Sequence, residues 1–414
     1  MHYVELDLSL SDEDLALKTS ANAFARDVMR PVSRQLDRMT PDEAIAPGSP
    51  FWDFLRQAYE LGYHKLPFPE AVGGPGLTPA QIQIVMEELA WGSFGLTLSL
   101  NTSLEAAVAM GGSEQHVEQF TVPYCACTDG SYVGCWAITE PGHGSDTVMP
   151  GYPTFRDPAI GADCRARLDG DEWVITGQKS AWVSGGTIAN RILLMCQIDA
   201  SLGHAGSGMF VFTLDRPGVT KGKPLDKLGA RDLNQGEIFF DGVRVPKEAL
   251  VVGPEGYEAA LEAHLCMTLP MVGTWATGLA RAAFEEALAY ARERSQGGRL
   301  LAEHPTVQQN LFDMFRKVEA ARQLCRAVFV HNWGSPPERR LLEYAMAAKT
   351  YATQAALEVT SDAIQVFGGI GLARECVAEK LFRDARSSLI CDGSNDILTL
   401  AGGHKVAHGY PRNE

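Results

Sequence analysis

Apolar positions follow three different rhythms along this chain. In the first stretch, to about residue 130, the spacing is helical. Leu17, Ala21, Phe24 and Val28 fall three or four apart behind Ser11-Asp12-Glu13-Asp14, a capping-box pattern. Pro31 and the prolines from Pro41 to Pro50 punctuate it. Residues 51–61 predict an amphipathic helix ending at Gly62, and residues 79–90 predict another after the Gly73-Gly74-Pro75-Gly76 turn. Between about 131 and 250 the runs are short, with strand character at 132–138, 173–176, 192–198, 209–214 and 237–240. Gly, Asp and Pro clusters separate them, which predicts a small barrel or sandwich. From Gly256 the period returns to 3.6, over 257–295, 306–333, 337–367 and 376–386, with short breaks that predict an antiparallel four-helix bundle. The fold class is therefore α+β, mainly α. Its expected domains are a helical domain (1–130), a β-domain (131–250) and a helical bundle (251–414). A doubly wound nucleotide fold is excluded, because strands and helices do not alternate and no Gly-x-Gly-x-x-Gly follows a strand.

Charge narrows the partners. The 414 residues carry 36 basic and 51 acidic side chains, a net −15, which argues against nucleic acid as a ligand. No apolar run of about 18 residues exists to cross a bilayer. Residues 1–14 are acidic and lack the basic and apolar regions of a secretory signal. The nine cysteines include no Cys-x-x-Cys pair, so they read as reduced thiols in a cytoplasmic protein, with no metal site.

Five segments are candidates for chemistry, and each also has a plain structural reading. Ile138-Thr139-Glu140-Pro141-Gly142-His143-Gly144-Ser145-Asp146 offers hydroxyls and exposed N–H groups after a strand, or is a surface turn. Trp182, in Gly177-Gln178-Lys179-Ser180-Ala181-Trp182-Val183-Ser184, either stacks on a flat cofactor or caps the β-core. Arg294, before Ser295-Gln296-Gly297-Gly298, is a phosphate clamp or a solvated arginine. Asp362-Ala363-Ile364-Gln365-Val366-Phe367-Gly368-Gly369 ends a helix in permissive glycines. Last, Asp392 lies in Leu389-Ile390-Cys391-Asp392-Gly393-Ser394-Asn395, where apolar neighbours would raise its pKa as a base requires. Ser394 or Asn395 is placed to cap the next helix.

In this order and spacing the segments resemble the acyl-CoA dehydrogenase superfamily, from about residue 10 to 403. Residues 139–146 match its Thr-Glu-Pro-x-x-Gly-Ser-Asp signature. Residues 177–184 match its Gly-x-Lys-x-Trp strand, with one extra residue between Lys179 and Trp182. Lys227-Leu228-Gly229-Ala230-Arg231, Val243 to Pro246, Asp362 to Gly369 and Arg383-Asp384-Ala385-Arg386 follow in the family's order. The resemblance implies a homotetramer (or dimer) binding FAD, with electron-transfer flavoprotein as a partner. Its isoalloxazine ring would lie near Ile138, Thr139, Gly144, Ser145, Trp182, Val183 and Ser184. Arg294, Gln296, Gln365, Val366, Gly368 and Gly369 would reach the pyrophosphate and adenine from a neighbouring subunit, with Ser394 and Asn395 completing the site. An acyl thioester, of CoA or a carrier protein, would lie near Ser145, Asn101, Thr268, Leu269 and Gly393. Asp392 would remove the α-proton while the β-hydride passes to flavin N5.

Some positions depart from the family pattern. Most members carry Glu where this chain has Asp392, and a branch with Glu at the position of Thr268 is not followed. Leu269 replaces a common Arg, Gly297 a common Phe, and Pro305 a frequent Gln. These departures point away from a simple long straight-chain acyl-CoA. Asn101, with Thr97 and Ser99, points to a polar or compact acyl group. A nitroalkane-oxidase-like enzyme is the alternative on this architecture, since those oxidases also use Asp at this position. They carry an Arg where this chain has Thr399, which favours the dehydrogenase. A non-catalytic scaffold is the second alternative.

Overall fold

The computed structural model describes residues 5–7 and 9–409; residues 1–4, 8 and 410–414, at the edges of the expected end domains, lie outside the described residues. Helix α1 (Asp12–Phe24) starts as the capping box requires: the Ser11 hydroxyl accepts from the Asp14 N–H, and the Ser11 N–H donates to the Asp14 carboxylate. It does not stop at Pro31. A π-turn at Ala25–Met29 carries the chain into a further helix, Arg30–Leu36. The wider i→i+5 bonding shifts the register past the residue that lacks an N–H. α2 (Pro50–Glu60) ends beside Gly62, whose φ of 77° suits glycine. α3 (Pro79–Gly92) is buried from Ile82 to Gly92. α4 (Phe94–Leu100) and α5 (Leu104–Ala109) follow it.

The middle region forms one mixed sheet of β1 (Gly134–Ala137), β2 (Arg165–Asp169), β3 (Glu172–Lys179), β4 (Arg191–Gln197), β5 (Ser207–Thr213), β6 (Val219–Lys221), β7 (Ile238–Pro246) and β8 (Leu250–Val252). Its order is β6-β7-β3-β2-β4-β5-β8, with β1 parallel to β4. The expected barrel is not closed. The outer strands β6 and β8 are three residues each and pair with one neighbour apiece, so no ladder joins the edges. β4 and β5 are buried almost throughout, as central strands must be. β2 escapes the sequence pattern because its residues are largely charged and exposed.

The C-terminal helices are α6 (Pro254–Glu293), α7 (Pro305–Gly334), α8 (Leu342–Phe367), α9 (Val377–Ser388) and α10 (Asn395–Gly409). At 40 residues α6 spans about 60 Å. It packs on α7 and α8 and, on its other side, on α3. Gly278 permits that approach, since a Cβ there would lie 2.4 Å from the Glu87 carbonyl oxygen. A buried charge network pins the same contact. Glu87 of α3 accepts from Arg281 of α6 at 2.9 Å and Arg322 of α7 at 3.0 Å, and Glu88 also pairs with Arg281.

Candidate active site

Between α9 and α10 the backbone turns sharply. Asp392 has φ 52° and Gly393 has φ 104°, two successive residues with positive φ. For a non-glycine residue this conformation costs about 1–2 kcal/mol, so the surroundings must impose it. They do so from α8. The buried Lys349 ammonium donates to Leu389 O at 3.2 Å, Gly393 O at 2.8 Å and Asn395 Oδ1 at 2.9 Å. Asn395 returns hydrogen bonds to Thr350 O and Thr353 Oγ1. Its amide thus ties the turn to α8. Burial raises the Asp392 pKa above the usual carboxylate value, and attraction to Lys349 opposes that rise. Burial pushes Lys349 down to about 8.

The second element is the loop after β1. Its Glu140 is buried with Lys179 of β3, at 2.6 Å, and Lys179 also donates to Ile138 O at 3.0 Å. Glu140 accepts from the Asp163 and Cys164 N–H groups as well. One charge of the signature and one of strand β3 therefore act as a clamp that sets the loop on the sheet. Asp146 anchors its far end: it accepts from the Gly144 N–H at 2.7 Å and bonds His143 Nδ1 at 2.8 Å and His204 Nε2 at 3.0 Å. Although burial opposes ionisation, these bonds hold its carboxyl well below the usual range.

Ser145 joins the two elements. Its Oγ accepts from the Ser394 N–H at 2.9 Å, 249 residues apart in sequence, so the signature loop lies against the Asp392 turn. The Ser394 hydroxyl lies 3.5 Å from the Ile397 N–H, the expected N-cap of α10. Beside the loop, Ser180 donates to Thr139 Oγ1 at 3.0 Å, while Gln235 Nε2 donates to Ser184 Oγ and Trp182 O. The Trp182 side chain is 59% exposed, so it does not cap the β-core. Ile138, Val183 and Val366 are buried.

The remaining expected residues form a separate group. Arg294 ends α6 before a tight hairpin (Ser295–Gln296 with Arg299–Leu300) turned by Gly297 and Gly298, both at positive φ. Its guanidinium lies 3.5 Å from Gln296 Oε1, and among the described residues it pairs with no carboxylate. The Tyr290 and Phe367 rings stack at 4.3 Å, which brings Arg294 to the same end of the bundle as Gln365, Gly368 and Gly369. No hydrogen bond or ring contact among the described residues links this group to Trp182 or Asp392 in the same chain.

Of the expected acyl-pocket residues, Leu269 is fully buried, and the buried Thr268 hydroxyl has no hydrogen-bond partner among the described residues. Thr97, Ser99 and Asn101 each donate to a carbonyl four residues back, which occupies the donors that suggested a polar acyl group. Two other motifs prove structural. Ala230, in the 227–231 segment, has φ 48° and donates its N–H to Asp384 at 2.7 Å. Arg383 pairs with Asp37 and Glu379. Sequence reasoning missed Lys349 altogether, because a lone lysine in an alanine-rich helix carries no local mark.

The exposed indole beside the Thr139 and Ser184 hydroxyls suits the edge and face of a flavin. Arg294 suits a pyrophosphate, and so does the open space around Gly368 and Gly369, where a Cβ would meet nothing within 4 Å. The arrangement is that of a helical–sheet–helical flavoprotein. Family models for the acyl-CoA dehydrogenase N-terminal, middle and C-terminal domains match residues 11–127, 135–243 and 255–406. The chain belongs to the acyl-CoA dehydrogenase family, FAD-dependent oxidoreductases acting on CH–CH groups. It is 32% identical over 409 residues to the mitochondrial short-chain specific acyl-CoA dehydrogenase of Bos taurus, covering 97% of this chain and 92% of that protein. Its fold is similar to butyryl-CoA dehydrogenase from Megasphaera elsdenii, at 26% identity and a TM-score of 0.84 over 97% of this chain and 100% of that one. A glutaryl-coenzyme A dehydrogenase in its glutaryl-CoA complex gives 25% and 0.85, over 99% and 98%. Among the described residues no helix is long and apolar enough to cross a membrane.

Proposed function

We propose that this protein oxidises an acyl thioester to its α,β-unsaturated product, with Asp392 taking the α-proton. The observation that carries the reading is the Asp392 turn: a carboxyl with a pKa raised by burial, held in left-handed backbone and bonded through Ser394 to the signature loop at Ser145. Such a carboxyl is a better proton acceptor than an ordinary Asp and is ionised above its own raised pKa. The rate of substrate-dependent reduction should therefore fall as pH drops through that pKa. FAD, when bound, supplies the acceptor for the β-hydride.

The chain's own residues do the rest. Trp182, Thr139 and Ser184 would hold the ring system, with backbone contributions from Ile138, Gly144 and Val183. Arg294, Gln296, Gln365, Gly368 and Gly369, with the Val366 backbone, stand apart from Trp182, which fits them acting on the cofactor of a neighbouring subunit in a homotetramer or dimer. Ser145, Gly393 and Thr268 would flank the thioester. The unpartnered Thr268 hydroxyl supports a compact acyl group better than Asn101 does. The aspartate side chain is one methylene shorter than glutamate, so the α-carbon must come closer to the turn. CoA and carrier-protein thioesters, and an electron-transfer flavoprotein as acceptor, both fit this reading.

Anaerobic mixing of the yellow protein with short, branched, cyclic and aromatic acyl-CoA thioesters tests it, with nitroalkanes alongside. Bleaching by a thioester is expected; bleaching by nitroalkanes alone would move Asp392 to the oxidase reaction. Asp392→Asn should keep its FAD and lose reduction by substrate, and full activity in that variant would remove Asp392 as the base.

A further inference from the structure

Lys349 sits mid-way along α8 with its side chain fully buried, and no motif marks it. All three acceptors of its ammonium lie in the 389–395 turn, on both sides of Asp392: Leu389 O before it, Gly393 O and Asn395 Oδ1 after it. Among the described residues no carboxylate pairs with this ammonium directly. The groups that act on it electrostatically are the Asp392 carboxyl and the Cys391 thiol. Lys227, from the loop before β7, acts on Cys391 in turn.

Packing alone does not explain a lysine here. An apolar residue would fill the same space without desolvating a charge, and a neutral donor would serve one carbonyl but not three acceptors at once. We propose that Lys349 is a positioning residue for the base: its three hydrogen bonds fix the left-handed turn that presents Asp392, and its charge, seated between acceptors on both sides of that residue, favours the carboxylate form. The inference rests on the reading of Asp392 as base. The cation comes from α8, 43 residues before the aspartate.

The test is anaerobic stopped-flow reduction of FAD-loaded protein by butyryl-CoA across pH 5.5–9. The variants are Lys349→Met and Asn395→Asp, with Asp392→Asn in parallel. Lys349→Met should keep FAD and lose about 100-fold in the reduction rate constant with little change in half-saturation, the expected cost of a base displaced by about 1 Å. Its acidic limb should move to higher pH, because the charge that favoured the carboxylate is gone. Asn395→Asp places a carboxylate on the ammonium with almost unchanged shape, and should move the limb the same way with a smaller loss of rate. An acidic limb at the wild-type pH in both variants would overturn the proposal, whatever their rates. If Lys349→Met does not fold, Asn395→Asp decides alone. Full activity in Asp392→Asn would instead show that the base assignment fails, while an inactive Asp392→Asn beside unshifted limbs would refute the role of Lys349 alone.

Discussion

Glu105 offers a measurable consequence of the way strand β1 is backed. It lies in α5 behind that strand, fully buried, with the Tyr132 hydroxyl beside its carboxyl. A Cβ on Gly134 would come within 2.0 Å of Glu105 Oε1, so glycine in the first position of β1 is what makes room for it. Burial pushes its pKa from the usual 4.5 up to about 8, against the opposing pull of its own backbone N–H, the Tyr132 hydroxyl and Arg191. The unfolded chain loses this proton near 4.5 and the folded chain near 8. The associated stability is therefore fully present below about 4.5, declines as pH rises, and is gone above about 8. At about 1.4 kcal/mol per unit, the whole displacement is worth roughly 5 kcal/mol, and the part falling between pH 6 and 9 about 3 kcal/mol. Urea unfolding of wild type and Glu105→Gln at pH 6, 7.5 and 9, at one protein concentration, reads this directly. The amide cannot ionise, so the variant should lose less stability over that range even if burying an amide there lowers its stability at pH 6 by about 1–3 kcal/mol. Parallel stability curves for the two proteins would refute the reasoning.

Other outcomes follow from the charge network and the cofactor group. Burial alone would raise Glu87, but Arg322, Arg281 and Arg326 outweigh it and hold it at about 2. Its contribution is thus present above the ordinary 4.5 and is lost as pH falls toward 2. Glu87→Gln should destabilise by about 3–5 kcal/mol at pH 7, seen as a lower urea midpoint, because two buried guanidinium groups lose the counter-charge they share. Arg294→Ala, at an exposed position, should leave the urea midpoint of the apoprotein within about 0.5 kcal/mol of wild type while lowering the flavin-to-protein absorbance ratio. Unchanged flavin content would remove Arg294 from the cofactor site.

What the sequence determined by itself was the set of elements and the identity of the chemical groups. The capping box at Ser11, the stop at Gly62, the apolar runs of β4 and β5 and the long period-3.6 stretches are local, because each depends on residues within one or two turns of each other. The family signature was also legible, as an order of short motifs. Tertiary structure decided what those motifs do. Glu140 and Lys179, read as part of a cofactor segment, form a buried clamp, and the 227–231 and 383–386 motifs meet in a junction of hydrogen bonds far from Asp392 in role. The chain stays helical past Pro31 because a π-turn precedes a further helix there, and the sheet stays open, its edge strands ending after three residues. The clearest case is the Asp392 turn. Its apolar neighbours in sequence foretold a raised pKa, but the left-handed turn, the Ser145–Ser394 hydrogen bond and the cation beneath it come from segments 43 to 249 residues away, and only the packing of α8 and the signature loop against the α9–α10 turn brings them together.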